Sequence, residues 1–163
     1  MARQGGKTKI GRRPAAAALA TLALLLPGPA SAGDCMARAA LQAGVPTELI
    51  LAMSYVETRW RQQAVNAANN NGSEDVCMMQ INSVHYPRLA ALGVTREALL
   101  ADRCVCLLVG GEILREMRAA TGGSDIWSAV AAYNAGPANL AAGRPYADQV
   151  RRVYEAIHVI QVQ

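Results

Sequence analysis

The stretch "LAMSYVETRW", residues 51–60, places a glutamate, Glu57, in one of the most apolar runs of the chain beyond its first thirty residues. If the stretch is helical, advancing about 100° per residue, Glu57 falls within roughly 20° of Ile50 and roughly 40° of Met53, so it points with the apolar face. It also lies near the C-terminal end of that helix, where the peptide dipole disfavours negative charge. Desolvation and the helix end act in the same direction and raise the carboxyl pKa. A carboxylic acid that stays protonated near neutral pH is what a general acid requires. The competing reading is structural, a buried glutamate neutralised by Arg59, Arg61 or another arginine. Periodicity alone leaves both open.

The remaining chemistry-bearing residues are few. Glu74 and Asp75 are the nearest carboxylates in sequence, at the edge of the polar loop "RQQAVNAANNNGSEDV", and are expected to be solvated. Four cysteines, Cys35, Cys77, Cys104 and Cys106, make an even set. In an exported chain that reads as two disulfides. Residues two apart on a helix point to nearly opposite sides, so Cys104 and Cys106 each need a different partner, with Cys35 and Cys77 to be divided between them. The C-x-C spacing fits neither a paired C-x-x-C zinc knuckle nor haem attachment, and no metal or other cofactor is expected.

Export is indicated by the first thirty-two residues. A basic segment "MARQGGKTKIGRRP" precedes the apolar run "AAAALATLALLL" and the small-x-small tripeptide Ala30-Ser31-Ala32. That order is a signal peptide over residues 1–32, cut after Ala32, and the run is too short and too broken by Pro27 and Pro29 to span a bilayer. Removing the leader removes five of the sixteen lysines and arginines, leaving eleven against twelve acidic residues. The formal +4 of the whole chain becomes about −1. No basic surface for nucleic acid remains, and no membrane partner is expected after cleavage. Residues 33–163 are long enough for one domain with its own core.

That domain reads as mainly α. "CMARAALQAG" is a short helix stopped by Gly44; "VPTELILAMSYVETRW" is a second, with Pro46 and Glu48 at its start. After the asparagine-rich loop comes a compact turn at "CMMQINSVHYPRL", then "TREALLADR" and a longer helix "RCVCLLVGGEILREMRAATGG". Gly110-Gly111 weakens that helix by propensity and implies close approach of a neighbouring segment. Ser124 or Asp125 caps "IWSAVAAYNAG", which Gly136 and Pro137 end, and "YADQVRRVYEAIHVI" forms the last helix. No strand shows a period of two.

Three motifs in order, "VETRW", "DVCMMQIN" and "AVAAYNAG", resemble those of the lytic transglycosylases with the lysozyme-like soluble transglycosylase (SLT) domain. The chain looks closest to the small exported kind that accompanies secretion and conjugation machines, whose pattern runs Glu-Ser, then Asp-x-Gly-Leu-Met-Gln-Ile-Asn, then Ala-Tyr-Asn-Ala-Gly. The resemblance covers Cys35 to about Tyr154 and implies a single lysozyme-like helical domain in the periplasm. It makes Glu57 the sole catalytic acid/base, and matches Met79 and Gln80 to residues lining the cleft beside it. Tyr133 and Asn134 match a Tyr-Asn pair on the far wall, whose phenol is implied to reach toward the catalytic carboxyl or the substrate N-acetyl group. Tyr146 matches a further cleft tyrosine, with core packing as its alternative, and methionines such as Met78 and Met79 have core filling as theirs. Asp75 matches a position without a catalytic role, and nothing in the resemblance uses His85.

The departures are specific. Thr58 stands in place of serine, keeping the hydroxyl at the cleft; Met78 replaces leucine; Cys77 replaces a glycine and Cys106 an asparagine. The resemblance implies a Cys35–Cys104 bridge, which leaves Cys77 for Cys106 and accounts for both unusual cysteines together. The implied reaction is cleavage of the β-1,4 bond between N-acetylmuramic acid and N-acetylglucosamine in peptidoglycan glycan strands, with a 1,6-anhydro end and no water consumed. It implies local wall opening for an envelope-spanning secretion, pilus or conjugation apparatus, whose components are then possible partners. A lysozyme-like hydrolase and a non-catalytic glycan-binding subunit are the alternatives.

Overall fold

The computed structural model describes residues 32–161, and the expected leader lies outside the described residues apart from Ala32. Helix α1 (Ala32–Ala43) and helix α2 (Thr47–Thr58) are separated by Gly44 in the left-handed region (φ 68°) and by Pro46, whose extended backbone starts α2. A small antiparallel sheet follows, β1 (Val65–Asn66), β2 (Asp75–Val76) and β3 (Ile81–Asn82), in that spatial order. A 3₁₀ turn (Ser83–His85) leads into α3 (Tyr86–Ala90) and α4 (Arg96–Ala101). Three longer helices complete the fold: α5 (Arg103–Ala120), α6 (Ile126–Ala135) and α7 (Leu140–Gln161).

Side-chain caps set several of these starts. Thr95 accepts from the Ala98 amide, Asp102 from the amides of Cys104 and Val105, and Asp125 from those of Trp127 and Ser128. Each cap satisfies amides that the first helical turn leaves without a partner. Helix α2 stops two residues earlier than its apolar pattern reads, because Arg59 and Trp60 both turn left-handed (φ 52° and 63°). The sheet was not visible as an alternating pattern for a simple reason: two-residue strands have no period to display. Helix α7 begins at Leu140, not at Tyr146, and carries Pro145 inside it.

The core draws on Leu49, Ile50 and Met53 of α2, Leu107 and Leu114 of α5, Val130 of α6 and Val150 of α7, all buried. Two glycines let helices meet backbone to backbone. A Cβ on Gly111 would come within 2.7 Å of the Ala39 carbonyl oxygen of α1. The same atom on Gly143 would lie 2.0 Å from the Ala131 carbonyl oxygen of α6. Backbone cannot yield as a flexible side chain does, so Gly143→Ala is expected to separate α6 from α7 at a cost of about 1–3 kcal/mol. Urea unfolding checks this, and a midpoint equal to that of the unmodified chain would contradict it.

Cys35 of α1 is joined to Cys104 at the start of α5, and Cys77 to Cys106 two residues further along the same helix. The two bridges leave α5 on different sides. One holds α1; the other holds the turn between β2 and β3.

Candidate active site

Helix α2 delivers Glu57 one residue before its end, half-buried between the core and a cleft of about 860 Å³. The walls of the cleft come from the sheet and its loops, from Ile113 and Met117 of α5, and from the end of α6 with the two residues after it, Tyr133 to Pro137. Burial pushes the Glu57 carboxyl from 4.5 up to about 7; a hydrogen bond from Tyr146 opposes the rise and the negative charge of Asp75 adds to it. Tyr146 of α7 donates its phenol to Glu57 Oε1 at 2.6 Å. Burial and the neighbouring carboxyl hold that phenol well above its ordinary range, so it remains a donor at every relevant pH.

The turn after β2 is held from several directions. Cys77 adopts φ 61° and Gln80 φ 48°. The Cys77 carbonyl accepts from Gln80, through both its backbone amide at 3.1 Å and its side-chain Nε2 at 3.1 Å. The Met78 carbonyl accepts from Thr58 Oγ1 of α2 at 3.1 Å, and the Met79 carbonyl from the Tyr133 phenol of α6 at 2.8 Å. Three successive buried carbonyls are thereby satisfied, as buried backbone requires. With the disulfide to α5, the turn ties together α2, α5 and α6 around the cleft.

Of the residues expected at the site, Glu57, Gln80, Tyr133 and Asn134 line the cleft. Thr58, Met79 and Tyr146 stand behind it, and each for a local reason. Thr58 is buried and spends its hydroxyl on the Met78 carbonyl and on accepting from the Arg61 amide at 3.1 Å. Met79 is fully buried against α5, with side-chain atoms 2.8–3.0 Å from where a Gly110 Cβ would sit; it fills the core and contributes its carbonyl to the site. Of the two reaches implied for the Tyr133 phenol, toward the carboxyl or toward the substrate N-acetyl group, the one to the carboxyl is made by Tyr146. Tyr133 gives its hydroxyl to Met79, while Tyr146, whose alternative was core packing, touches Glu57.

Asp75 departs most from its expected solvated place at a loop entry. The sheet register sets Asn66 opposite Asp75 and Asp75 opposite Asn82, so the three share one face. Both amides donate to the Asp75 carboxylate, Asn66 at 3.2 Å and Asn82 at 2.7 Å, and Asn69 adds a third donor at 2.8 Å. Asp75, Asn66, Asn69 and Asn82 all line the cleft. The opposite row, Val76 and Ile81, is buried. Glu74 points elsewhere, bonded by both carboxylate oxygens to Arg96 at 2.7 and 2.9 Å. The asparagines of the "NAANNNGSED" loop were the available signal for this wall, but without the register they read as loop composition.

The site therefore offers a buried carboxyl of raised pKa at the end of a helix, a second carboxylate held by three amides, and a polar, asparagine-lined cleft. This is an acid/base arrangement suited to a neutral polyhydroxylated chain.

The chain is similar to known proteins in sequence and in fold. In sequence the chain is 39% identical over 103 residues to the invasion protein IagB of Salmonella typhimurium, a match over 63% of this chain and 62% of that protein. It is 35% identical over 123 residues to protein IpgF of Shigella flexneri, over 74% of this chain and 79% of that protein. In structure it is similar to an inactive mutant of the lytic transglycosylase Slt from Pseudomonas aeruginosa, with a TM-score of 0.57 and 17% identity over 78% of this chain and 24% of that one. That likeness concerns the fold. The family model for the transglycosylase SLT domain matches residues 34–151, which contain every residue of the site described above, and the chain belongs to that family.

Proposed function

We propose that the protein is a peptidoglycan lytic transglycosylase acting in the periplasm, with Glu57 as its one general acid and base. The observation that carries this reading is the Glu57 carboxyl itself, raised to about 7 by burial and opening onto a trough of asparagines. Protonated Glu57 donates to the glycosidic oxygen as the bond to the anomeric carbon of N-acetylmuramic acid breaks. The resulting carboxylate takes the proton of the same sugar's 6-hydroxyl, and that oxygen closes onto the anomeric carbon. Glu57 ends protonated as it began, and the product carries a 1,6-anhydro ring without uptake of water. The Asp75 carboxylate, held by its three amide donors, places negative charge in the cleft as positive charge develops on the sugar.

Mass spectrometry of intact sacculi digested by the protein tests the reading. Released fragments lighter by one water than their hydrolytic counterparts support it, and reducing ends contradict it. The hydrolytic alternative draws its support from Asp75, because two carboxyl groups in one cleft are the common equipment of glycoside hydrolases. Failure to release any fragment would favour a glycan-binding subunit.

The pH dependence follows from the neighbours of Glu57. Cleavage requires the protonated carboxyl, so kcat/KM holds below about pH 7 and falls above it. Asp75→Asn removes a charge that raises the pKa, and the falling limb moves to lower pH. Tyr146→Phe removes the hydrogen bond that lowers it, and the limb moves to higher pH. Limbs shifted in the same direction would contradict the assigned causes.

A role in opening the wall for an envelope-spanning secretion, pilus or conjugation apparatus is the part of the reading that the motif resemblance suggests, and one of the similar proteins is named as an invasion protein. The Cys35–Cys104 and Cys77–Cys106 bridges suit an oxidising compartment. We assign residues 1–32 as the leader and residues 33–163 as the catalytic domain, with Gln80, Tyr133 and Asn134 contacting the glycan and Thr58, Met79 and Tyr146 supporting them from behind.

A further inference from the structure

His85 has no part in the chemistry above, yet it lines the same cleft as Glu57. It ends the 3₁₀ turn that follows β3, and its ring is half-buried. Arg88, one turn on, donates its Nε–H to His85 Nδ1 at 3.3 Å. An arginine is a donor only, so Nδ1 must present its lone pair, and the neutral ring carries its proton on Nε2. Burial, and then the positive charge of Arg88, keep the imidazole below its usual pKa; Glu116 opposes them more weakly. Among the described residues no protein group accepts from Nε2–H.

The surroundings hold that donor in place and give it apolar company. Arg88, on α3, forms an ion pair with Glu116 of α5 at 2.5 Å and so anchors the residue that bonds His85 to another helix of the cleft wall. Val84, beside His85, lines the cleft and leaves 65% of its surface exposed. Met117, next to Glu116 on α5, lines the cleft as well. A fixed neutral N–H donor flanked by aliphatic side chains matches a group that is part amide and part methyl.

We propose that His85 and Val84 form an acetamido-binding subsite, in which His85 Nε2–H donates to the carbonyl oxygen of a sugar's N-acetyl group while its methyl rests on Val84. This deepens the glycan-cleaving reading and rests on it. The Asn-lined wall reads hydroxyls, which every polysaccharide has; His85 selects N-acetylated strands. The other half of the pair, Arg88, is a positioning residue, since it sets the tautomer without reaching the sugar.

The test uses the full domain carrying Glu57→Gln, which binds without cutting, titrated calorimetrically with an N-acetylglucosamine tetrasaccharide and with the matching glucose tetrasaccharide. His85→Ala is expected to weaken binding of the N-acetylated sugar by about five- to tenfold, the worth of one neutral hydrogen bond, and to leave the glucose oligomer unaffected. His85→Gln, whose amide restores a donor, recovers most of the loss. His85→Phe, which keeps the ring's volume without the donor, behaves as alanine does and guards against collapse of the turn. Unchanged affinity for the N-acetylated sugar in both donor-less variants, an equal loss on the two sugars, or no binding of the N-acetylated sugar at all would overturn the subsite. If the chain with Glu57 intact nevertheless releases anhydro products from sacculi, the subsite alone fails; if it releases none, the cleavage reading fails whatever the titrations give.

Discussion

Glu57→Gln is expected to reduce release of glycan fragments by about 10⁴-fold, the upper end of what a single general acid and base supplies, because the same carboxyl serves both proton transfers. The amide keeps the shape of the side chain and can still meet the Tyr146 phenol, so the domain folds. Stability gives an independent readout. The Glu57 pKa is raised from 4.5 to about 7 in the folded chain, so its contribution to stability is fully present below pH 4.5 and is lost as pH rises through 7. Glutamine does not ionise, so the variant gains stability relative to the unmodified chain across that window and keeps the gain above it. Thermal unfolding at pH 4 and pH 8 measures this. Full activity in the variant would remove Glu57 from the mechanism; an unchanged stability difference between the two pH values would remove the buried-acid account of its pKa.

The second large effect concerns the Cys77–Cys106 bridge. Breaking it with the pair Cys77→Gly and Cys106→Ala is expected to cost about 3–4 kcal/mol in the chain-entropy account of a closed loop, with a sequence separation of 29 residues. Glycine is the informative replacement at position 77, since the residue there adopts φ 61°, where a side chain is strained. A Cys77→Ala, Cys106→Ala protein loses the bridge and keeps that strain, and is expected to be about 1 kcal/mol less stable again. Turnover falls in both, because the turn that carries Gln80 and accepts the Tyr133 hydrogen bond loses its link to α5. Guanidinium unfolding midpoints decide it. A loss under about 1 kcal/mol with normal turnover would show that the carbonyl hydrogen bonds to Thr58 and Tyr133 hold the turn without the disulfide.

Much of this site was legible from residue type and spacing, and the parts that were not share a physical cause. Glu57 stood out because a helix converts spacing into direction, and Ile50 and Met53, the residues it was aligned with, are indeed buried. Gly111 announced a close helix contact for the same reason, and the Ala39 backbone is what approaches it. Relations across the chain left weaker traces. Asn66, Asp75 and Asn82 become neighbours only through the register of strands two residues long, so their alignment is invisible along the sequence. Tyr133 and Tyr146 are both helical tyrosines, and which phenol meets Glu57 depends on how α6 and α7 pack, with Gly143 seating one on the other. Met79 was assigned to the cleft by its motif, yet in a tight turn a single residue separates Gln80, which lines the cavity, from Met79, which fills the core.

The central claim is that one protonated carboxyl cleaves the glycan by passing a proton within the substrate, with no water entering the product. Digestion of sacculi in water enriched in oxygen-18 tests it most directly. The account predicts muramic ends that carry no heavy oxygen and are lighter by one water. Heavy oxygen at the anomeric carbon of the released ends would contradict it and make Asp75, with Glu57, part of a hydrolytic pair.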